Sequence, residues 1–376
     1  MSNDLTRVEV NLSNLKNNIK AIQQEINDDI KLLCVVKGNA YGHGLKQAAK
    51  TAEEMEVAYL GVSDFAEAKE IREADVTLPV LIMGPSLPEH SEEIISLNLE
   101  ASISSFNMAD SLNQKAKKFN QAIKVQLNVD TGMGRSGVPY SKAFSLYKKL
   151  KSISNLQVNG IFSHLRSAHL QGTQYYQQTL VQINKFNNLL ERIDNEIGLP
   201  PLCHIASSYG LLHYKQEVTD NYFNLVRVGG GIYGHDIALN QGFAEEYKPA
   251  LSLKSKILEI KQAEKGDEIG YGGTFTAPEK MTIALIPVGY YHGLSYNLSN
   301  RGEVLIKGQR AGIVGEISMN QIVVDVTDID EANIGDEVEV IGSVIKASEH
   351  AKAAKTELCE VLVSLSRAPH IFYYED

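Results

Sequence analysis

The sequence is poor in cysteine and lacks long hydrophobic runs. Its three cysteines, Cys34, Cys203 and Cys359, are far apart, odd in number and without the spacing of metal ligands. This pattern indicates reduced thiols in a cytosolic protein and predicts no metal site. No apolar run approaches the length of a membrane span. Because the first residues contain no basic segment followed by an apolar one, we expect no signal peptide.

An excess of positive charge is also missing. The 376 residues include 36 lysines and arginines against 46 aspartates and glutamates, a formal net charge of -10. Such a balance does not favour nucleic acid or an anionic membrane as a partner. The length and the hydrophobic fraction of 43% suit a soluble protein with one large domain and a smaller one.

A repeating unit occupies the first 240 residues: a short apolar run, a turn and then a helical pattern. The eight apolar runs are residues 31–36, 58–62, 79–83, 99–103, 123–129, 156–162, 202–206 and 223–228. Helical spacing covers residues 11–28, 44–56, 64–74, 89–97, 106–119, 141–153 and 173–197. Eight strands that alternate with helices predict an α/β fold, a closed (β/α)8 barrel of the TIM type.

The pattern changes after about residue 240, where Val/Ile-rich runs are separated by turn residues and helical spacing is nearly absent. These runs are residues 254–260, 282–286, 303–306, 311–314, 321–326 and 337–341. They predict a second, mostly antiparallel β domain over residues 241–376, after a barrel over residues 1–240. The N-terminal run, residues 7–10, fits a strand of either domain.

The residues just after the predicted barrel strands are rich in cations, histidines, hydroxyls and glycines. In such a barrel these positions share one rim, where catalytic sites lie. They are Lys37, Tyr41, Arg135, His164, Ser207, Ser208, Arg227 and Gly229, with His204 inside the seventh run. The set suits an anionic, phosphorylated ligand that carries a carbonyl group. Singly, each histidine fits a hydrogen-bonded core position and each arginine a structural ion pair.

Lys37 ends an apolar strand, an unusual place for a solvated charge. Desolvation lowers the pKa of an amine, and a neutral amine can form a Schiff base with a carbonyl compound. The alternative is a lysine whose stem lies along the strand end while its ammonium reaches water. The glycines of residues 229–234 spell a dinucleotide fingerprint, but no clear βαβ unit follows them.

Six motifs in order resemble the alanine racemase family, two-domain pyridoxal-phosphate enzymes of fold type III. They are VKGNAYGHG at residues 36–44, DTGMGR at 130–135, VRVG at 226–229, GYGGTFTA at 270–277, VGY at 288–290 and GEISMNQ at 315–321. The resemblance extends from about residue 8 to residue 372. It implies racemisation of a small amino acid, L-alanine to D-alanine for peptidoglycan, in a cytoplasmic homodimer with shared active sites.

The resemblance also implies a role for each matching residue. Lys37 would hold pyridoxal phosphate covalently and act as one base, and Tyr271 of the partner subunit would act as the other. Arg227 would face the pyridine nitrogen, and His164 and His204 would link it to Tyr271. The remaining implied roles are phosphate binding by Tyr41, Ser208 and Gly229, orientation of the substrate carboxylate by Arg135, and substrate contact by Met319 from the partner.

Several positions depart from the family pattern, including residues 291–293, Tyr-His-Gly, which replace a common Gly-Tyr-x-Asp-Gly run. Asn128 stands where many members have a carbamylated lysine, Ser207 replaces an asparagine, Asn320 replaces an aspartate, and Ser366 stands where a tyrosine is common. Smaller side chains at positions 207 and 366 suggest a pocket that also admits serine, while neutral drift explains them equally well. Two other functions stay open from the residues: a basic amino-acid decarboxylase of the same fold type, and a pyridoxal-phosphate carrier without turnover.

Overall fold

The computed structural model describes residues 5–234 and 247–376. Its strands are β1 (Arg7–Asn11), β2 (Lys31–Val35), β3 (Tyr59–Val62), β4 (Val80–Pro85), β5 (Glu100–Ile103), β6 (Ile123–Asp130), β7 (Val138–Pro139), β8 (Leu156–Phe162), β9 (Leu202–His204), β10 (Leu225–Val228), β11 (Leu251–Lys256), β12 (Glu259–Ala263), β13 (Glu268–Ile269), β14 (Phe275–Thr276), β15 (Met281–Ile286), β16 (Glu303–Ile306), β17 (Gln309–Val314), β18 (Ile322–Asp325), β19 (Glu337–Ile341) and β20 (Ile371–Tyr374).

The helices are α1 (Leu12–Glu25), α2 (Lys37–Tyr41), α3 (Leu45–Glu54), α4 (Phe65–Glu73), α5 (Ser91–Ser96), α6 (Phe106–Phe119), α7 (Tyr140–Lys151), α8 (Thr173–Glu196), α9 (Ser208–His213), α10 (Lys215–Thr219), α11 (Ala347–Ala354) and α12 (Leu358–Ser364). Side-chain caps begin several of them as expected. The Asp64 carboxylate accepts from the backbone of α4, and the Ser105 hydroxyl accepts from that of α6. Within the described ranges no helix is long and apolar enough to cross a membrane.

Eight parallel strands form a barrel, in the order β10-β2-β3-β4-β5-β6-β8-β9. Two backbone hydrogen bonds of 3.1 Å join β9 to β10 and bring the ends of this order together, from Asn224 N to Cys203 O and from Arg227 N to Ala206 O. The predicted (β/α)8 barrel is therefore confirmed. Its strands β2 and β3 are buried on both faces, as is usual when helices cover a parallel sheet.

The second sheet has the order β12-β15-β18-β17-β16-β19-β11-β1-β20. All of its pairs are antiparallel except β1 with β20, so the predicted mostly antiparallel domain is confirmed. The N-terminal strand β1 belongs to this sheet, where Val8 lies opposite Leu253. The predicted boundary between residues 240 and 241 lies outside the described residues.

Two details of the second domain differ from the sequence prediction. The predicted strand at residues 254–260 is two strands, because the chain turns away after Lys256 and Ile257 N bonds to Asp336 O. Helices α11 and α12 were not predicted. In α11 three of the four buried residues are alanines, whose small side chains give little helical hydrophobic signal. Helix α12 packs beside the loop that follows Lys37, next to the barrel mouth.

Candidate active site

The chain forms a left-handed helical turn directly after Lys37. The φ angles of Gly38, Asn39, Ala40 and Tyr41 are 64°, 52°, 54° and 52°. For residues other than glycine this conformation costs roughly 1–2 kcal/mol each. The turn closes through a 2.8 Å bond from Ala40 N to the carbonyl of Val36, the last residue before the lysine. Strain of this kind persists only where surrounding contacts enforce it, and it is common at functional sites.

Contacts from three sides hold this turn. The Glu67 carboxylate accepts from Gly38 N at 2.5 Å and from Ser63 N at 2.8 Å, which ties the turn to the end of the next strand. The Asn39 side chain accepts from Leu45 N at 2.8 Å. A Cβ placed on Gly42 would lie 2.2 Å from the Leu362 carbonyl oxygen. The second domain therefore packs directly against the turn that positions Lys37 and Tyr41.

Lys37 lines a cavity of about 600 Å³ at the barrel mouth, together with most of the predicted site residues. Burial lowers the pKa of its ammonium group, the Arg135 guanidinium lowers it further, and Arg227 adds to this effect. Cys359 and Glu67 act in the opposite direction, each with a larger effect than that of Arg227. A lowered pKa enlarges the neutral, nucleophilic fraction of the amine at a given pH. Lys37 is thus suited to attack a carbonyl group.

Arg227 lies at the floor of the cavity and is 4% exposed. Its Nη1 donates to His204 Nδ1 at 2.7 Å, and its Nη2 is within 3.2 Å of His164 Nδ1. Nη2 also donates to the Ser163 and Ile205 carbonyls at 2.8 and 3.1 Å. Among the residues that the structure describes, the partners of Arg227 contact Nη1 and Nη2, which leaves Nε–H and the second Nη1 proton as donors for a bound group. Burial lowers the pKa of Arg227 to about 9, which still keeps it protonated at neutral pH.

Both histidines beside Arg227 are neutral. Burial and the positive charge of Arg227 lower the pKa of His164 to about 3 and that of His204 well below its usual value. Since an arginine can only donate, each histidine accepts through Nδ1. His164 lines the cavity. His204 lies beneath Arg227, with its other ring nitrogen 2.8 Å from Gln126, so its ring is directed into the barrel and not toward the cavity.

Hydroxyls and a close backbone approach form an anion cradle on one side of the cavity. The Ser208 hydroxyl accepts from Gly229 N at 3.0 Å. A Cβ on Gly229 would lie 2.6 Å from the Tyr41 hydroxyl, so only glycine leaves this space open. Burial raises the pKa of Tyr41 and keeps its phenol protonated as a donor. These groups suit a phosphate oxygen.

Asp130 organises the loop that carries Arg135. Its Oδ1 accepts from the backbone N–H groups of Gly132, Met133 and Gly134 at 2.9, 2.9 and 3.1 Å. The loop follows β6, and Arg135 reaches the cavity from it. The sequence placed Arg135 at the rim but did not indicate that the aspartate five residues earlier shapes the loop.

The departures from the family pattern lie in different places. Asn128 and Ser207 line the cavity, and the Asn128 amide is 3.4 Å from the Ser136 hydroxyl. Ser366 lines a separate cavity of the second domain. Helix α12 instead brings Cys359 to the Lys37 cavity, which no sequence signal indicated because the contact joins two domains. Within one chain, the small side chain of Ser366 therefore does not enlarge the Lys37 cavity.

Tyr271 and Met319 lie away from the Lys37 cavity of their own chain. Tyr271 is 71% exposed in a glycine-rich turn, and Met319 is 54% exposed. The 318–319 backbone accepts from Tyr290 N at 3.2 Å and from Tyr291 N at 2.9 Å, and both tyrosine side chains are also exposed. The second domain thus presents aromatic and apolar side chains outward. Within the described ranges no cluster of His, Cys, Asp or Glu could hold a metal ion.

Comparison with known families and proteins agrees with this architecture over the whole chain. Residues 10–236 match the alanine racemase N-terminal domain, and residues 250–373 match the alanine racemase C-terminal domain. An alanine racemase of Geobacter sp. (strain M21) is 36% identical over 371 residues, which cover 96% of both chains. That of Halothermothrix orenii is 34% identical over 367 residues, covering 96% of this chain and 95% of its own.

Solved structures give the same result. Alanine racemase from Clostridium difficile 630 has a TM-score of 0.91 at 31% identity and covers 100% of this chain and 97% of its own. Alanine racemase from Bacillus anthracis with bound L-Ala-P has a TM-score of 0.88 at 30% identity, covering 100% and 96%. The domain matches, the full-length identities and the shared fold show that the chain belongs to the alanine racemase family.

Proposed function

We propose that this protein interconverts L-alanine and D-alanine with pyridoxal phosphate as cofactor. One observation carries the proposal: a single cavity unites a lysine of lowered pKa, a buried arginine donor and an anion cradle. The names of its relatives supply the substrate. A decarboxylase or a carrier is less well supported, because these relatives match both domains over nearly the full length.

The residues of the cavity fit this cofactor. Lys37 would bond to its aldehyde carbon, while Ser208, Tyr41 and the backbone at Gly229 would hold its phosphate. The glycine at position 229 supports this fit, since any side chain there would fill the cradle. Arg227 Nε–H would face the ring nitrogen, and because arginine remains protonated, that nitrogen would stay unprotonated. When bound, the cofactor supplies an electron sink for the negative charge that develops at the substrate Cα.

Racemisation requires a proton to leave one face of Cα and another to arrive on the opposite face. On one face Lys37 Nζ, freed when the substrate amine takes its place at the aldehyde carbon, would take the proton as a neutral amine or return it as an ammonium group. The phenolic oxygen of Tyr271 of the partner subunit does so on the other. Arg135 holds the substrate carboxylate through paired donors, so that Cα stays between the two bases. Met319 of the partner subunit contacts the substrate from the same side as Tyr271.

The position of Tyr271 supports a homodimer. In one chain it is exposed and absent from the residues around Lys37, so a site with two bases needs a second copy. The exposed side chains of Tyr271, Tyr290, Tyr291 and Met319 lie on the domain that would meet the partner's barrel mouth. We further propose that the dimer works in the cytoplasm and supplies D-alanine for peptidoglycan.

The reaction is tested by measuring D-amino-acid formation from L-alanine, L-serine and L-lysine, with and without added pyridoxal phosphate. We expect cofactor-dependent D-alanine from the wild type and none from Lys37→Ala. D-serine at a comparable rate would extend the function to a broader racemase. A yellow protein whose colour is fixed by borohydride but which forms no D-product would favour the carrier or the decarboxylase.

The shared site is tested by mixing subunits. In a heterodimer of Lys37→Ala and Tyr271→Phe chains, one site carries both substitutions and the other carries none if Tyr271 acts across the interface. Random mixing of equal amounts should then restore about a quarter of the wild-type activity. If Tyr271 acts within its own chain, no site in the mixture is intact and activity stays at the level of the separate variants.

A further inference from the structure

Six polar side chains occupy the middle of the barrel, where layers of apolar side chains are usual. Each comes from a different strand, and each is at most 8% exposed. They are Tyr59 of β3, Glu100 of β5, Gln126 of β6, Asn159 of β8, His204 of β9 and Arg227 of β10. Of these, only Arg227 lines the Lys37 cavity. The other five lie deeper in the barrel, so substrate contact does not explain them.

These side chains form one continuous chain of hydrogen bonds. It begins with the 2.7 Å contact between Arg227 Nη1 and His204 Nδ1. His204 Nε2 lies 2.8 Å from Gln126 Oε1, and Gln126 Nε2 lies 2.8 Å from Glu100 Oε2. The other oxygen of Glu100 accepts from Asn159 at 2.9 Å and from the Tyr59 hydroxyl at 3.1 Å. A guanidinium therefore stands at one end and a carboxylate at the other.

The chemistry of the two ends fixes the direction of every bond between them. Arg227 can only donate, so His204 Nδ1 accepts and the imidazole proton lies on Nε2. That proton is donated to the Gln126 carbonyl oxygen. The Gln126 amide nitrogen then donates to Glu100, which as a carboxylate only accepts. No donor meets a donor, and the polarity of each bond reinforces the next.

The packing around the middle of the chain leaves room for this arrangement. A Cβ on Gly160 would lie 2.6 Å from Gln126 Oε1, so glycine in β8 admits the amide. The Phe162 ring stacks on the His204 ring at 5.1 Å with an angle of 12° between the planes. The imidazole plane is thus held, and only the placement of its proton remains to be set by hydrogen bonding.

Glu100 is a buried acid whose direct partners are all neutral. A buried carboxylate is costly unless donors and an opposite charge compensate it. Here the compensating cation is Arg227, reached through the Gln126 amide and the His204 imidazole. An apolar side chain would fill the same space without this cost. The arrangement therefore suggests that Glu100 serves a function at Arg227, beside the proposed cofactor site.

We propose that Glu100 is a positioning residue for Arg227, which acts through Gln126 and His204 to keep the guanidinium donating toward the cofactor ring nitrogen. This inference rests on the proposed function, since it concerns the same arginine and the same cofactor. Glu100 fixes the Gln126 amide, the amide fixes the His204 tautomer, and the tautomer accepts the Arg227 Nη1 proton. Arg227 is thereby held with Nε–H left for the ligand.

Three donor groups, from Gln126, Asn159 and Tyr59, use both oxygens of Glu100, and the nearly isosteric change Glu100→Gln leaves only one oxygen, so a donor must meet the new amide nitrogen. Where that nitrogen faces Gln126, the Gln126 amide reverses. A reversed amide presents its nitrogen to His204 Nε2, which moves the imidazole proton to Nδ1. That proton then opposes the Arg227 donor across the 2.7 Å contact. The guanidinium must shift, and the loss should appear specifically at the ring nitrogen and not at the aldehyde or the phosphate.

The test compares the full-length apoprotein's affinity for pyridoxal phosphate with its affinity for the analogue that has CH in place of the ring nitrogen. Both ligands carry the same aldehyde and phosphate, so the affinity ratio isolates the ring-nitrogen contact. A hydrogen bond to a charged donor predicts a ratio of roughly tenfold or more for the wild type. We expect Glu100→Gln to lower this ratio by about fivefold or more.

Tyr59→Phe is the matched control, because it removes a donor to Glu100 that lies off the path to Arg227. Its ratio should stay within about twofold of the wild type. A second readout needs no cofactor: nitrogen NMR of histidine-labelled apoprotein should report His204 protonated on Nε2 in the wild type and as a mixture of tautomers in Glu100→Gln. If Glu100→Gln does not fold, Gln126→Leu breaks the same path and carries the same expectation.

The outcomes separate the two proposals. A wild type that does not bind pyridoxal phosphate overturns the proposed function. A wild type that binds it but does not discriminate against the analogue overturns the role of Glu100, as does a Glu100→Gln protein with an unchanged ratio and an unchanged tautomer. A lowered ratio in Glu100→Gln but not in Tyr59→Phe supports the positioning role, because general loosening of the barrel would affect both variants.

Discussion

Asp130 offers the sharpest quantitative test of how the site positions the substrate. Three backbone N–H groups of the loop before Arg135 converge on its Oδ1, at 2.9 to 3.1 Å. Asp130→Ala removes all three acceptor contacts at once. We expect the loop to lose its fixed path, and with it the position of the guanidinium that we propose for the substrate carboxylate.

The magnitude follows from the number and the exposure of these bonds. Hydrogen bonds to charged groups contribute about 1.5–3 kcal/mol each, but the Gly132 and Gly134 bonds are solvent-exposed, so about 1 kcal/mol each is realistic. The pairing of β7 with β6 still anchors the far end of the loop. If two of roughly three kcal/mol reach Arg135, kcat/KM for L-alanine falls by about thirtyfold.

The assay is steady-state racemisation of L-alanine over a range of concentrations, with Asp130→Asn as the matched variant. Asparagine keeps an oxygen in place but loses the charge, so we expect a decrease of about fivefold, since neutral bonds are roughly half as strong. Unfolding of the alanine variant should cost no more than about 3 kcal/mol, the sum of the three bonds, and that of the asparagine variant about half as much. An alanine variant within threefold of the wild type would refute the reasoning and assign the loop's order to β7 alone.

Three further changes test other parts of the site. Gly42→Ala should destabilise the fold by about 2 kcal/mol or more in urea unfolding, because its Cβ would lie 2.2 Å from the Leu362 carbonyl oxygen. The control is Gly266→Ala, since Gly266 has a similar φ of +95° but lies in open space, and this change should cost only about 1 kcal/mol. Equal losses would show that the clash is relieved at no cost. Arg227→Lys should lower the free energy of unfolding of the apoprotein by about 2 kcal/mol at fixed protein concentration, because one ammonium group cannot donate to four acceptors. A decrease below about 0.5 kcal/mol would contradict this. In the apoprotein, Lys37 should react with an amine reagent at a lower pH than a free lysine amine such as that of Nα-acetyl-lysine, because a lowered pKa enlarges the neutral fraction. Mass spectrometry across pH measures both, and a midpoint at or above that of the free amine would be inconsistent with the site.

The barrel and the place of its site could be predicted from local pattern alone. Strand and helix periodicities depend only on neighbours in the sequence, and β8 and α6 match their predicted spans at both ends. Parallel strands of a barrel end at one rim, so residues that follow strands must meet. This rule predicts that Lys37, Arg135 and Arg227 lie close together.

The remaining features depend on contacts between distant segments. Cys359 reaches the cavity because α12 packs on the turn after Lys37, and no local pattern encodes that contact. Glu100 and Gln126 resemble ordinary strand residues, and only closure of the barrel links them to Arg227. His204 was predicted inside its strand and instead ends it, and the pleat of β9 turns its ring inward.

The sequence by itself thus determined the architecture and the rim on which Lys37 lies, because periodicity and the residues that follow each strand are local properties. The tertiary structure alone decided which side chain faces which. It turned the chain after Lys37 into a left-handed helix, set the donors and acceptors around Arg227, and left Tyr271 exposed on the second domain. Those outcomes depend on packing between elements far apart in the chain. The free energy of each such contact depends on two segments, so neither segment specifies the contact alone.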